Sequence, residues 1–167
     1  MDVAVHPSDD RIVYLTYSKP IERDGQPSVT VALARGRLDA GALTEVAGSS
    51  DVVDRGFVTY TNAAKMAMLG VSEETLAQWG AVSEEVAKEM AAGALKRSEA
   101  QIAVSITGIA GPGGSEHKPE GRVCFAIAGH GPTEAETVEF GALGRSAVRN
   151  AAMRHALALL AARATAA

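Results

Sequence analysis

The sequence predicts an α/β domain layered helix–sheet–helix, and two observations carry that expectation. Short runs rich in β-branched and aromatic residues alternate along the chain with segments of helical apolar spacing. Near the middle, the alternating run Ile102-Ala103-Val104-Ser105-Ile106 empties into Thr107-Gly108-Ile109-Ala110-Gly111-Pro112-Gly113-Gly114. Glycines at that density let backbone N–H groups approach a ligand with no Cβ in the way. Successive amides in such a turn form a concave anion or oxyanion site. A strand ending in such a loop is the signature of a binding pocket on a sheet edge.

The elements follow in order. Arg11 to Tyr17 reads as a short strand between Asp9-Asp10 and the Ser18-Lys19-Pro20 break. Asp24 to Pro27 is turn chemistry, and Val29 to Leu33 is a second strand candidate. Residues 38 to 47 space Leu38, Ala42, Leu43 and Val46 as on a helix, ended by Gly48-Ser49-Ser50. Val52 to Tyr60 reads as a strand, with Gly56 marking a bulge or a close backbone approach. Asn62 is expected to cap a short helix carrying Lys65, Met66 and Leu69, closed by Gly70. After a break at Trp79-Gly80, Ser83 caps a helix whose first turn holds Glu84 and Glu85 and whose last holds Lys96 and Arg97. That placement complements the helix dipole at both ends. Beyond the glycine loop come strands over Arg122 to Ala128 and Glu136 to Phe140, joined through Gly129-His130-Gly131-Pro132. A final helix over about 145 to 163 places Val148, Ala152, His155, Leu159 and Ala162 on one side, with 164–167 as a frayed tail.

Composition narrows the function classes. The length of 167 residues fits one domain with a continuous core, and 47% hydrophobic with 22% charged residues is ordinary for a globular chain. A formal charge of −4 and no dense basic patch disfavour nucleic acid as a partner. The single cysteine, Cys124, sits in the apolar run Val123 to Ile127 and reads as an inert buried thiol. The four histidines are scattered, so neither a metal nor a cofactor is expected. No run is long and apolar enough to span a bilayer and no signal pattern opens the chain, so a cytoplasmic setting without membrane contact is expected.

Outside the loop, Lys65 is the strongest chemical candidate. Past a strand end and in the first turn of a helix, its ammonium opposes the dipole and is easier to deprotonate, which suits a general base. The alternative is a solvated helix lysine. Thr107 closes its strand at the loop mouth, where its hydroxyl either donates to a carbonyl oxygen or merely caps the loop. Arg145, at the helix entry behind Gly144, is placed to clamp a phosphate or carboxylate, with Arg149 on the same face, unless both are ordinary exposed arginines. Arg55, in the middle of a strand, either pairs with Asp51 or Asp54 or points into a cleft. No Gly-Lys-Ser/Thr follows the glycines and Ser115 to Pro119 interrupts them, so neither a triphosphate loop nor a dinucleotide fingerprint is supported.

The segments Gly41 to Ser50, Asp54 to Tyr60, Asn62 to Lys65, Gly80 to Ser83, Thr107 to Gly114 and Gly144-Arg145 with Arg149 together resemble the CinA C-terminal domain family over roughly residues 41 to 160. The resemblance implies a three-layer α/β/α sandwich with a mixed sheet. It also implies a metal-independent nicotinamide-nucleotide amidohydrolase, converting nicotinamide mononucleotide and water to nicotinic acid mononucleotide and ammonia. In that family a serine in a Glu-Ser-Cys-Thr-Gly-Gly segment attacks the carboxamide. The lysine matching Lys65 would activate it, and the threonine matching Thr107 with the loop amides would hold the oxyanion. Substrate-binding positions implied are Tyr60, Asn62, Gly108, Ala110, Gly111, Gly113, Gly114 and Arg145.

One segment departs from the pattern. Counted back without gaps from Gly41, the nucleophile segment falls on Ala32-Leu33-Ala34-Arg35-Gly36-Arg37, so Leu33 holds the serine's place. Residues 1–40 therefore read as a diverged segment of the same domain, ahead of a family-type core over 41–163. Three accounts stay open: a non-catalytic pyridine-nucleotide-binding module, recruitment of another hydroxyl from Ser28, Thr30 or Ser83, or an aberrant N-terminal segment. The partner expected is a small nucleotide like nicotinamide mononucleotide. The Ala-rich final helix adds an expectation of a homo-oligomer.

Overall fold

The computed structural model describes residues 12–16, 22–23, 26–27, 53–115 and 117–165. The candidate strand over 29–33, the candidate helix over 38–47, and Leu33, Ser28 and Thr30 lie outside them. In chain order the elements are β1 (Ile12–Thr16), β2 (Glu22–Arg23), β3 (Gln26–Pro27), β4 (Val53–Val58), α1 (Asn62–Leu69), α2 (Glu73–Trp79), α3 (Glu84–Lys96), β5 (Ile102–Gly108), β6 (Arg122–Ala128), β7 (Glu134–Glu139) and α4 (Arg145–Thr165).

Among the described residues, five strands form one mixed sheet in the order β4-β1-β5-β6-β7, and β2 pairs with β3. β1 runs parallel to both neighbours, whereas β6 runs antiparallel to both β5 and β7. Along β4 the pairing passes from Ile12↔Val53 to Tyr14↔Gly56. Two steps on one strand against three on the other are a bulge, at the position the glycine signalled.

The two faces of the sheet differ in side-chain size, and that difference sets the layers. Ile102, Val104 and Ile106 of β5 with Val123, Phe125 and Ile127 of β6 meet Val148, Ala152, Ala156 and Leu160 of α4. On the opposite face Cys124, Ala126 and Ala128 meet Ala87 and Ala91 of α3, an all-small contact that brings helix and sheet close together. There Ser105 Oγ donates to the Ala87 carbonyl at 2.6 Å, so this buried hydroxyl is satisfied by α3. Cys124 is buried, which pushes its thiol pKa up, as an inert thiol requires.

The structure corrects four local expectations. Thr61, not Asn62, caps α1: its Oγ1 accepts from Ala64 N at 3.0 Å while its backbone stays extended. The helix α2 was not anticipated, although Ser72 followed by Glu73-Glu74 is a capping signal, with Ser72 Oγ accepting from Thr75 N. The buried stripe of α4 is Val148, Ala152, Ala156, Leu160 and Arg163, rotated from the expected side. His155 lies at its margin, stacked at 4.6 Å on Phe125 and hydrogen-bonded to Glu136. The apolar stripe of α4 is thus covered by its own sheet. The helix also runs on to Thr165, and Arg163 holds the β6–β7 turn through the carbonyls of Gly129 and Pro132 and the Glu134 carboxylate.

Candidate active site

Because β4, β1 and β5 are parallel, their C-terminal ends emerge at one edge of the sheet, where open α/β folds gather ligand-binding loops. Thr59 to Asn62 leave β4 there, and the glycine loop leaves β5. The two roots flank β1, so about 10 Å of edge separates them, twice the ordinary strand spacing.

Lys65 is the fourth residue of α1 and, among the described residues, one of the largest side chains that are almost fully buried, with 1% exposed. Its Nζ donates to the Thr59 carbonyl at 2.9 Å. Burial pushes its amine down to a pKa of about 8. The lowered pKa expected from the helix dipole is therefore present, but its cause is desolvation. The solvated-lysine alternative fails, and an amine of this kind can accept a proton near neutral pH. Tyr60 beside it is half-buried, while Asn62 is exposed on the first turn of α1.

Thr107 is fully buried on the α3 face of β5, and its Oγ1 donates to the Ala81 carbonyl at 2.6 Å. It fastens the turn between α2 and α3 to the sheet. Lys118 fastens the same turn from the far side, its Nζ donating to the carbonyls of Trp79 and Val82. Ser83 serves as the cap of α3, accepting from Val86 N at 3.3 Å and donating to the Gly80 carbonyl at 2.9 Å. That assignment leaves its hydroxyl proton engaged, against its recruitment as a nucleophile. Arg55 resolves as a surface residue paired with Asp54 at 2.8 Å and with the Arg97 carbonyl at 2.9 Å.

The glycine loop is held by its surroundings. Ile109 N–H donates to the Arg122 carbonyl, and Gly121 N–H returns a bond to the Ile109 carbonyl, extending the β5–β6 pairing past Gly108. Ala110 and Gly111 are buried. Gly111 has φ +86°, and a Cβ there would fall 2.2 Å from the Glu120 carboxylate. The positive φ calls for glycine, and a larger residue would also displace the carboxylate. Arg145 reaches across from α4 and donates from Nε and Nη2 to the Gly111 carbonyl at 2.9 and 2.6 Å. Gly113 N–H donates to Glu120 at 2.6 Å, and Gly114 packs beside the Lys118 carbonyl. Sequence reasoning did not single out Glu120 or Lys118. Among the described residues, no group of three or more His, Cys, Asp or Glu side chains could hold a metal ion, and no helix is long and apolar enough to cross a membrane.

A mixed sheet with helices on both faces, carrying a buried lysine and a clamped glycine loop at the ends of its parallel strands, defines the α/β/α class. Comparison with known proteins assigns the family. The CinA C-terminal domain matches residues 27–164, and the chain belongs to that family. It is 52% identical over 140 residues to nicotinamide-nucleotide amidohydrolase PncC of Escherichia coli (strain K12), covering 81% of this chain and 83% of that protein. It is 44% identical over 163 residues to a putative competence-damage inducible protein of Symbiobacterium thermophilum, covering 92% of this chain but 38% of that longer protein. Among solved structures it resembles the competence/damage inducible protein CihA from Agrobacterium tumefaciens, with a TM-score of 0.78 and 46% identity over 93% of this chain and 86% of that one. A CinA-superfamily protein from Escherichia coli gives a TM-score of 0.75 at 35% identity, over 92% of this chain and 80% of that one.

Proposed function

We propose that this chain carries the pocket of a nicotinamide-nucleotide amidohydrolase, binds nicotinamide mononucleotide, and turns it over poorly because Leu33 stands where the family nucleophile belongs. The observation that supports the pocket most directly is Lys65, an amine with a pKa of about 8 buried at the ends of parallel strands. In this reading Lys65 is the proton acceptor for a hydroxyl or water approaching the carboxamide, and it returns the proton to the departing ammonia. Tyr60 and Asn62 border the pyridine end, and the loop from Gly108 to Gly114 receives the carboxamide oxygen. Thr107 contributes by holding the neighbouring turn. Leucine carries only C–H bonds at its tip, so no acyl-enzyme forms there, and turnover is expected to fall on the order of 10⁴ to 10⁶ below that of a serine-bearing homologue. Binding without hydrolysis, as a pyridine-nucleotide-binding module, is the second reading, and Leu33 is the residue that favours it.

The decisive measurement pairs ammonia release from nicotinamide mononucleotide with calorimetric binding. Binding with little or no release is expected, and Leu33→Ser together with Ala32→Glu should raise the release. Brisk release by the natural chain that vanishes in Lys65→Ala would refute the impairment. Absence of binding would refute the pocket.

A further inference from the structure

We propose that Glu120 and Arg145 are positioning residues that hold the Gly111 amide toward the pocket, gripping the loop with opposite charges. The use of that amide as the oxyanion donor rests on the amidohydrolase reading. The grip itself rests on geometry alone.

Gly111 is constrained on two sides, and Gly113 on one. Its carbonyl accepts a two-pronged bond from the Arg145 guanidinium, at 2.9 and 2.6 Å. The space where its Cβ would stand is filled by the Glu120 carboxylate. Two residues on, the N–H of Gly113 donates to the other oxygen of that carboxylate at 2.6 Å. A cation on a carbonyl and an anion on an N–H are the stronger kind of hydrogen bond, and a forked guanidinium fixes the plane of the peptide it holds. Ile109 and Ser115 close the loop with N–H bonds to the carbonyls of Arg122 and Lys118. Ala110 and Gly114 also have partners. Among the described residues, the Gly111 N–H meets no acceptor.

The arrangement reassigns Arg145. With two donors committed to a main-chain carbonyl, it shapes the cradle, whereas the sequence reading had it clamp substrate. It also gives a purpose to the excursion between the loop and β6. That excursion supplies Lys118, which braces the turn after α2, and Glu120, which braces the loop itself. Positive-φ glycines such as Gly111 and Gly113 have access to several backbone conformations, so a loop built on them needs external constraint to present one amide in one direction.

Amide hydrogen exchange across Gly111 to Ser115, with calorimetry of nicotinamide mononucleotide, tests the proposal on the natural chain, Glu120→Ala, Glu120→Gln and Arg145→Ala. In Glu120→Ala and Arg145→Ala, loop exchange should quicken and nucleotide affinity should fall, each by about tenfold, while exchange in β5, β6 and α3 stays unchanged. Glu120→Gln keeps an oxygen acceptor and should restore both to within about threefold. Unchanged loop exchange in Glu120→Ala would overturn the proposal, as would a Glu120→Gln loop as fast as that of Glu120→Ala. A natural chain that fails to bind the nucleotide would refute the amidohydrolase reading, and the exchange data would still decide the grip.

Discussion

Replacing Lys65 by methionine should stabilise the protein at neutral pH and destabilise it in strong alkali. Burial lowers the amine from 10.5 to about 8. At about 1.4 kcal/mol per pH unit, that interval corresponds to about 3 kcal/mol. Below pH 8 the amine is protonated in both the folded and the unfolded chain, so the cost of burying the charge is present in full. Between pH 8 and 10.5 the unfolded chain alone holds the proton, so stability rises with pH and the cost fades. Above 10.5 both forms are neutral. Methionine nearly matches lysine in length and carries no charge, but it cannot donate to the Thr59 carbonyl, a loss of about 1 kcal/mol. Lys65→Met should therefore be about 2 kcal/mol more stable than the natural chain at pH 7 and about 1 kcal/mol less stable above pH 10.5. Urea unfolding followed by circular dichroism at half-unit pH steps from 6.5 to 11 measures the difference directly, because other titrating groups cancel between the two proteins. A difference that stays constant over that range would refute a charge buried at position 65.

Two further substitutions test how the site is supported. Gly93→Ala in α3 should cost about 2 kcal/mol by chemical denaturation despite alanine's better helix propensity, because the added Cβ would fall 1.9 Å from the Leu69 carbonyl oxygen and push α1 away. An unchanged midpoint would mean that α1 is not seated on α3 as described. Thr107→Val keeps shape but removes the donor to Ala81, so a loss of about 1 to 2 kcal/mol and a melting temperature lower by roughly 3 to 6 °C are expected. A melting temperature equal to that of the natural chain would show that the hydroxyl does not fasten the turn.

The pieces legible in the sequence were those governed by neighbours in the chain. Alternation from Ile102 to Ile106 placed β5, since a period of two follows from the pleat alone, and the apolar run from Val123 to Ile127 lies within the strand read over 122–128. Ser83 with Glu84 and Glu85 marked the start of α3 because capping acts within one turn. Gly56 marked the bulge. The failures were equally local. Thr61 and Asn62 are both good caps, and the extended backbone of Thr61 decided between them. Helix α2 has seven residues, too few for a clear apolar period. The α4 stripe shifted because two half-apolar faces of an Ala-rich helix differ little until a sheet chooses one.

The site divides along the same line. The chain by itself determined the candidates: a lysine after one strand and a glycine loop after another. Only the tertiary structure decided what each one does. Lys65 owes its lowered pKa to the layers that bury it, an effect no sequence spacing encodes. Arg145 meets Gly111, 34 residues away, only because α4 crosses the sheet beneath the loop. Glu120 reaches Gly113 only because the chain folds back on itself before β6. Propensity and periodicity act over a few residues, whereas desolvation and hydrogen-bond geometry depend on which distant segments the fold brings into contact.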